Sequence, residues 1–155
     1  MDALIDRQVE RIHASPTMTV VVLAGGGAQA LSWLLGASGS SRSILEALVP
    51  YATAALAEFL GRRPEQTVSL ETAKDMAQSA FDRARRLSPG GLPLVGIGCT
   101  AAIATDRLRR GDRRCFVSAW TDQTATIYRV TLVRKRDRAA EDQIVSKLVL
   151  RALAE

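Results

Sequence analysis

The chain has 155 residues, 47% of them apolar, and a net charge of +5, enough to bury one substantial core and too few for two ordinary domains. Its longest apolar runs, residues 18–24 and 92–97, fall far short of the roughly 20 residues a membrane-spanning helix needs, so no membrane partner is expected. Cys99 and Cys115 are far apart in sequence and the single histidine, His13, is distant from both, which excludes the common zinc sites on ligand count.

Residues 3–14 place Leu4, Ile5, Val9 and Ile12 at helical spacing between charged residues, which predicts a short amphipathic helix ended by Ser15-Pro16-Thr17. The first seven residues carry acids early and lead into no long apolar stretch, so no secretory leader is expected and the expected location is cytoplasmic. The β-branched run 19–23 enters Gly25-Gly26-Gly27, and residues 28–35 read as helix, giving a strand, a glycine turn and a helix. A small-residue loop, Gly36 to Ser41, follows. Pro50 interrupts the apolar stretch 44–60, which predicts an edge strand and then a helix.

Ser69 suits the N-cap of a helix that runs to about Leu87, and Ser88-Pro89-Gly90-Gly91 turns the chain. Residues 94–98 read as a buried strand ending in a loop of small and hydroxyl residues, 99–102, and residues 106–114 read as a charged connection. The alternation in 115–120 and 125–132 predicts an antiparallel pair around Thr121 to Thr124, with Cys99 and Cys115 as small buried hydrophobes in neighbouring strands. A last helix is expected over 139–154. These elements imply a mixed sheet covered by helices, whose parallel strands would offer ligands their carboxyl ends. Two loops meet that description, Gly25 to Gly27 and Gly98 to Ala102.

A glycine turn heading a helix brings backbone amides close to an anion, although a tight strand-to-helix crossing needs the same residues. Gly25, Gly27 and Ala30 fit a G-x-G-x-x-A dinucleotide pattern, but no second strand ends in an acid about 20 residues later, and the lysine of a P-loop is absent. The net charge permits nucleotide, phosphate or nucleic-acid partners. Arg107, Arg109, Arg110, Arg113 and Arg114 form one basic cluster and Arg134, Lys135, Arg136 and Arg138 another, but interspersed acids and the lack of a nucleic-acid-binding motif argue against nucleic acid.

Six pieces in order resemble the C-terminal amidase domain of the CinA family across most of the chain. They are Gly25-Gly26-Gly27, Ser38-Gly39-Ser40-Ser41, Val49-Pro50-Tyr51-Ala52-Thr53, Val68-Ser69-Leu70-Glu71 with Met76-Ala77, Val95-Gly96-Ile97-Gly98-Cys99-Thr100, and Asp137-Arg138 before the last helix. The resemblance implies a three-layer α/β/α sandwich with a mixed sheet of about five strands. It also implies a homo-oligomer, association with a nucleotidyltransferase-like partner, and no cofactor or metal.

Working members of that family resemble amide hydrolases acting on nicotinamide mononucleotide, with a turn serine attacking the carboxamide and a tyrosine and a lysine assisting. Here the serine position holds Leu23 or Ala24 and the lysine position holds Leu56, leaving only Tyr51 of the three. A hydroxyl needs a nearby base to attack at neutral pH, so the resemblance implies a site that binds a nucleotide or phosphorylated metabolite without cutting it. The implied contacts are Gly25, Gly26, Gly27, Ser40, Ser41, Tyr51, Gly98, Thr100 and Arg138. Tyr51 would serve equally as a core or interface aromatic, and Ser40 and Ser41 as a helix N-cap. The alternative is a divergent amidase with another nucleophile, and a third reading is a purely structural oligomer.

Overall fold

The computed structural model describes residues 2–105, 113–132 and 136–155. Among these, five strands form one mixed sheet: β1 (Met18–Ala24), β2 (Ile44–Leu48), β3 (Leu94–Ala101), β4 (Arg113–Trp120) and β5 (Ala125–Leu132), in the order β2-β1-β3-β4-β5. β1, β2 and β3 run parallel, and β3, β4 and β5 form an antiparallel meander. Helices α3 (Thr53–Leu60) and α4 (Leu70–Leu87) cover one face, and α1 (Ala3–Ala14), α2 (Ala28–Leu35) and α5 (Arg138–Ala154) the other. The expected sandwich, edge strand and hairpin are all present. No helix among the described residues is long and apolar enough to cross a membrane.

β1 is buried on both sides, as its β-branched run requires. Val20, Val22 and Ala24 pack with Leu56, Met76, Ala80 and Ala84 on the α3–α4 face, while Val21 and Leu23 turn to Val145 and Val149 of α5. The buried stripe Ala73, Ala77, Ala80 and Ala84 lets α4 lie directly on β3, where Gly96 and Gly98 receive it. A Cβ on Gly96 would lie 2.2 Å from the Ala77 carbonyl oxygen, and one on Gly98 would lie 2.5 Å from the Ala77 nitrogen. Glycine is needed at both positions because helix backbone occupies the space of a side chain. Ser69 caps α4 by accepting from the Thr72 amide at 3.1 Å, and Asp137 caps α5 by accepting from the Ala140 amide at 2.9 Å.

Two boundaries differ from expectation. Arg113 and Arg114, expected in the charged connection, are the first residues of β4 and pair with Leu132 and Thr131 of β5. Residues 99–101 are strand: Cys99 and Thr100 stay in register with Leu23 and Ala24 of β1, and Ala101 pairs with Cys115 of β4. Their small side chains suit a strand pressed between helices on both faces, which from sequence resembles a loop. Cys99 and Cys115 are free, buried and on adjacent strands, as expected. Most of the charged connection, residues 106–112, lies outside the described residues, as do Arg134 and Lys135.

The connections place the site. From β1 the chain crosses through α2 on one face to β2, then returns through α3 and α4 on the other face to β3. The connection direction therefore reverses at β1, and the carboxyl ends of β1 and β3 are where a sheet of this kind places its ligand crevice.

Candidate functional site

Gly25-Gly26-Gly27 forms the wall of that crevice above β1. Gly25 has φ +86°, and a Cβ there would lie 2.1 Å from the Ala101 carbonyl oxygen, so only glycine lets the turn cross the end of β3. Gly27 heads α2 with no side-chain cap of its own. The cap comes from α5: Asp142 Oδ1 accepts from the Gly27 amide at 2.8 Å, and Oδ2 accepts from the Gln29 amide at 3.1 Å and from the Ser146 hydroxyl at 3.3 Å. The positive end of α2 thus already holds a carboxylate from 115 residues downstream. The Gly27 amide, expected to face a ligand, is occupied by the chain itself, as is that of Gln29.

Across the crevice stands Tyr51, placed just beyond β2 by Pro50 and 67% exposed. Arg138, the first residue of α5, donates from Nη1 to the Ala104 carbonyl at 3.0 Å and from Nη2 to the Tyr51 hydroxyl at 3.4 Å. These two expected site residues, 87 positions apart, therefore meet. One turn along α5, the fully buried Glu141 accepts from the Ala104 amide at 2.6 Å and faces Arg113 Nε at 3.5 Å. Ala104 is gripped at its carbonyl by Arg138 and at its amide by Glu141, which fixes the segment after β3 against α5. Arg113 is thereby withdrawn from the basic cluster into a buried ion pair, and Arg114 lies 6.0 Å over the Phe116 ring.

Three expected contacts, Ser40, Ser41 and Gly98, lie away from this edge, and a fourth, Thr100, is buried at the end of β3 beside Ala24. Ser40 and Ser41 lie in a 3-10 turn ahead of β2, and because β2 runs parallel to β1, that turn sits at the opposite, amino edge of the sheet. Gly39 packs there against His13 and Arg42, and the Ser43 carbonyl accepts from the Thr19 amide at the start of β1. Neither serine caps a helix, since Gly39 holds that position. Gly98 lies under α4, and the fully buried Thr100 donates its hydroxyl to the Thr67 carbonyl at 2.7 Å.

The amino edge also carries a cavity of about 960 Å³, lined in part by Arg11, Phe81, Arg85, Leu92, Tyr128 and Leu153. Its arginines are matched by Asp122 and Glu155 on the same rim, so it lacks a net charge. The carboxyl edge gathers polar groups from the segments after β2 and β3, from the head of α2 and from α5, which makes it the better candidate.

No protein-family model matches the sequence, and no curated protein sequence matches it significantly. Solved structures do match over nearly their whole length. The competence/damage-inducible protein CihA from Agrobacterium tumefaciens aligns with a TM-score of 0.76 at 18% identity, covering 100% of this chain and 98% of that one. A CinA superfamily protein from Klebsiella pneumoniae gives 0.72 at 13% identity, covering 97% and 94%. One from Escherichia coli gives 0.67 at 16%, covering 99% and 90%. The fold is that of the CinA proteins.

Within the CinA fold, Leu23, Ala24 and Leu56, which the sequence resemblance sets against a serine and a lysine, are core. Leu23 and Leu56 are each 1% exposed and Ala24 is 3% exposed. Ala24 and Leu56 share the α3–α4 face, whereas Leu23 points to α5. The buried Ser43, Thr100 and Ser146 each place a hydroxyl beside an acceptor. Ser43 lies 3.1 Å from His13 Nδ1 at the amino edge, with His13 Nε2 on the Leu34 carbonyl at 2.9 Å. Ser146 lies behind Asp142, and Thr100 behind Thr67.

Cys99 lies directly below the glycine turn, its thiol 3.8 Å from the Gly26 carbonyl. The hydrogen-bonded Cys115 thiol, and then burial, hold the Cys99 thiol well above its ordinary range, so it stays protonated and a poor nucleophile. The sequence reading missed Asp142, Glu141 and the buried His13. Only the acid-rich start of α5 hinted at the first two.

Proposed function

We propose that this CinA-fold chain binds a nucleotide or related phosphorylated small molecule at the carboxyl edge and does not hydrolyse it. The observation that carries the reading is the exposed pair Tyr51 and Arg138, joined at 3.4 Å beside the β1–β3 crevice. A guanidinium offers a phosphate paired donors, and the phenol ring offers a heterocycle a flat apolar surface. Against catalysis stands the hydrocarbon at the positions resembling the family's nucleophile and lysine. Ala24 is the better match to the serine position, because it faces Leu56 on the same side of the sheet.

The test is thermal unfolding with nicotinamide mononucleotide. A ligand at a hundredfold excess over its Kd adds about 2.7 kcal/mol, a rise of roughly 5–10 °C in Tm for a chain of this size. Arg138→Ala should weaken the affinity at least about tenfold, the usual loss for a charged hydrogen bond, and so about halve the rise at the same ligand concentration. A response unchanged by Arg138→Ala and Tyr51→Ala, or no response to any nucleotide or sugar phosphate, overturns the proposal.

A further inference from the structure

The crevice is asymmetric in charge. Arg138 and Asp142 stand one helical turn apart on α5, the first reaching Tyr51 and Ala104 and the second reaching the head of α2. Asp142 has both carboxylate oxygens engaged, by two backbone amides and one hydroxyl, and it lies where a phosphate approaching the glycine turn would have to sit. A second anion there would meet a like charge at contact distance and find the Gly27 and Gln29 donors taken.

We propose that Asp142 is the specificity-determining residue of the crevice, an internal anion that bars phosphate from the glycine turn and leaves Arg138 as the phosphate contact. The proposal rests on the binding function above and fixes the ligand's polarity. The ligand is a phosphorylated molecule that points its phosphate toward Arg138 and Tyr51 and its uncharged portion toward the glycine turn. The neighbouring Glu141 does not alter this, because it is buried behind Ala104 and faces Arg113.

Amide NMR with inorganic phosphate tests the exclusion without needing the ligand. In the unaltered chain the Gly27 and Gln29 resonances should stay fixed as phosphate is raised. In Asp142→Ala both should shift, with phosphate binding tighter by at least about tenfold once the like charge is gone. Asp142→Asn, which keeps the size and one acceptor, should give an intermediate gain and serves if the alanine variant unfolds. Phosphate-dependent shifts of Gly27 and Gln29 in the unaltered chain, or none in either folded variant, overturn the proposal. If no nucleotide binds but these phosphate results hold, the binding function fails while the exclusion stands. If nucleotide binds with Gly27 and Gln29 as its phosphate contacts, the exclusion fails alone.

Discussion

At the level of one side chain, Leu56, which the resemblance sets against a lysine, bears on the proposal that the chain does not hydrolyse its ligand. It lies in the core with Val20, Val22 and Ala24, where a lysine would exchange hydrocarbon packing for an ammonium with no counter-charge in the cluster. Leu56→Lys should therefore lower stability by roughly 3 kcal/mol or more, read as a fall in the denaturant midpoint at unchanged slope. A near-neutral effect would mean that Leu56 borders solvent, and the crevice would then be deeper than described. Arg138 and Tyr51, by contrast, are exposed, so their replacement should alter binding far more than stability.

Among the elements, α4 and β3 give the sharpest case of sequence dictating packing. Four alanines on one helix stripe and two glycines on one strand bring backbone against backbone. Gly98→Ala should cost about 2 kcal/mol or more, because the added methyl meets Ala77 backbone and Met76 Cβ, which cannot give way as a flexible side chain could. A thermal melt within 1 °C or so of the parent, set against the roughly 2–4 °C expected per kcal/mol, would contradict that packing.

These elements were legible in sequence because periodicity and turn residues are local signals. Residues 28–35 and the pair 115–120 with 125–132 follow directly from spacing. The end of β3 was misread because Cys99, Thr100 and Ala101 are small for a reason outside the strand, the helices on either face. The family resemblance sets Ser40 and Ser41 beside Gly25. The parallel pairing of β1 and β2 sends them to the opposite edge, a fact of topology that no short motif encodes. The pairing of Tyr51 with Arg138 is suggested only by family resemblance, and the Asp142 cap leaves no local signal because its amide partners lie more than 110 residues away.

For the whole molecule, the amino edge of the sheet is tied by side chains between β5 and α5, and the carboxyl edge is the proposed binding site. At the amino edge the Tyr128 hydroxyl donates to the Glu155 carboxylate, and Arg151 lies 6.0 Å over the Tyr128 ring, fastening the end of α5 to β5. Burial, and then that hydrogen bond, push the Tyr128 hydroxyl up to about 12. Because the folded value lies above the unfolded one near 10, its contribution to stability is complete below about pH 10 and fades as pH rises toward 12. Absorbance at 295 nm should show one phenolate step near pH 12 that Tyr128→Phe removes; a step near 10 lost in that variant would contradict the contact.

At the carboxyl edge the claim is recognition without turnover, and one proton NMR time course reads both halves of it. With nicotinamide mononucleotide and the full chain, the account predicts broadened nucleotide resonances, sharpened again in Arg138→Ala, and no growth of nicotinate product signals over many hours. Product signals that grow in proportion to protein and slow in Tyr51→Phe would contradict it.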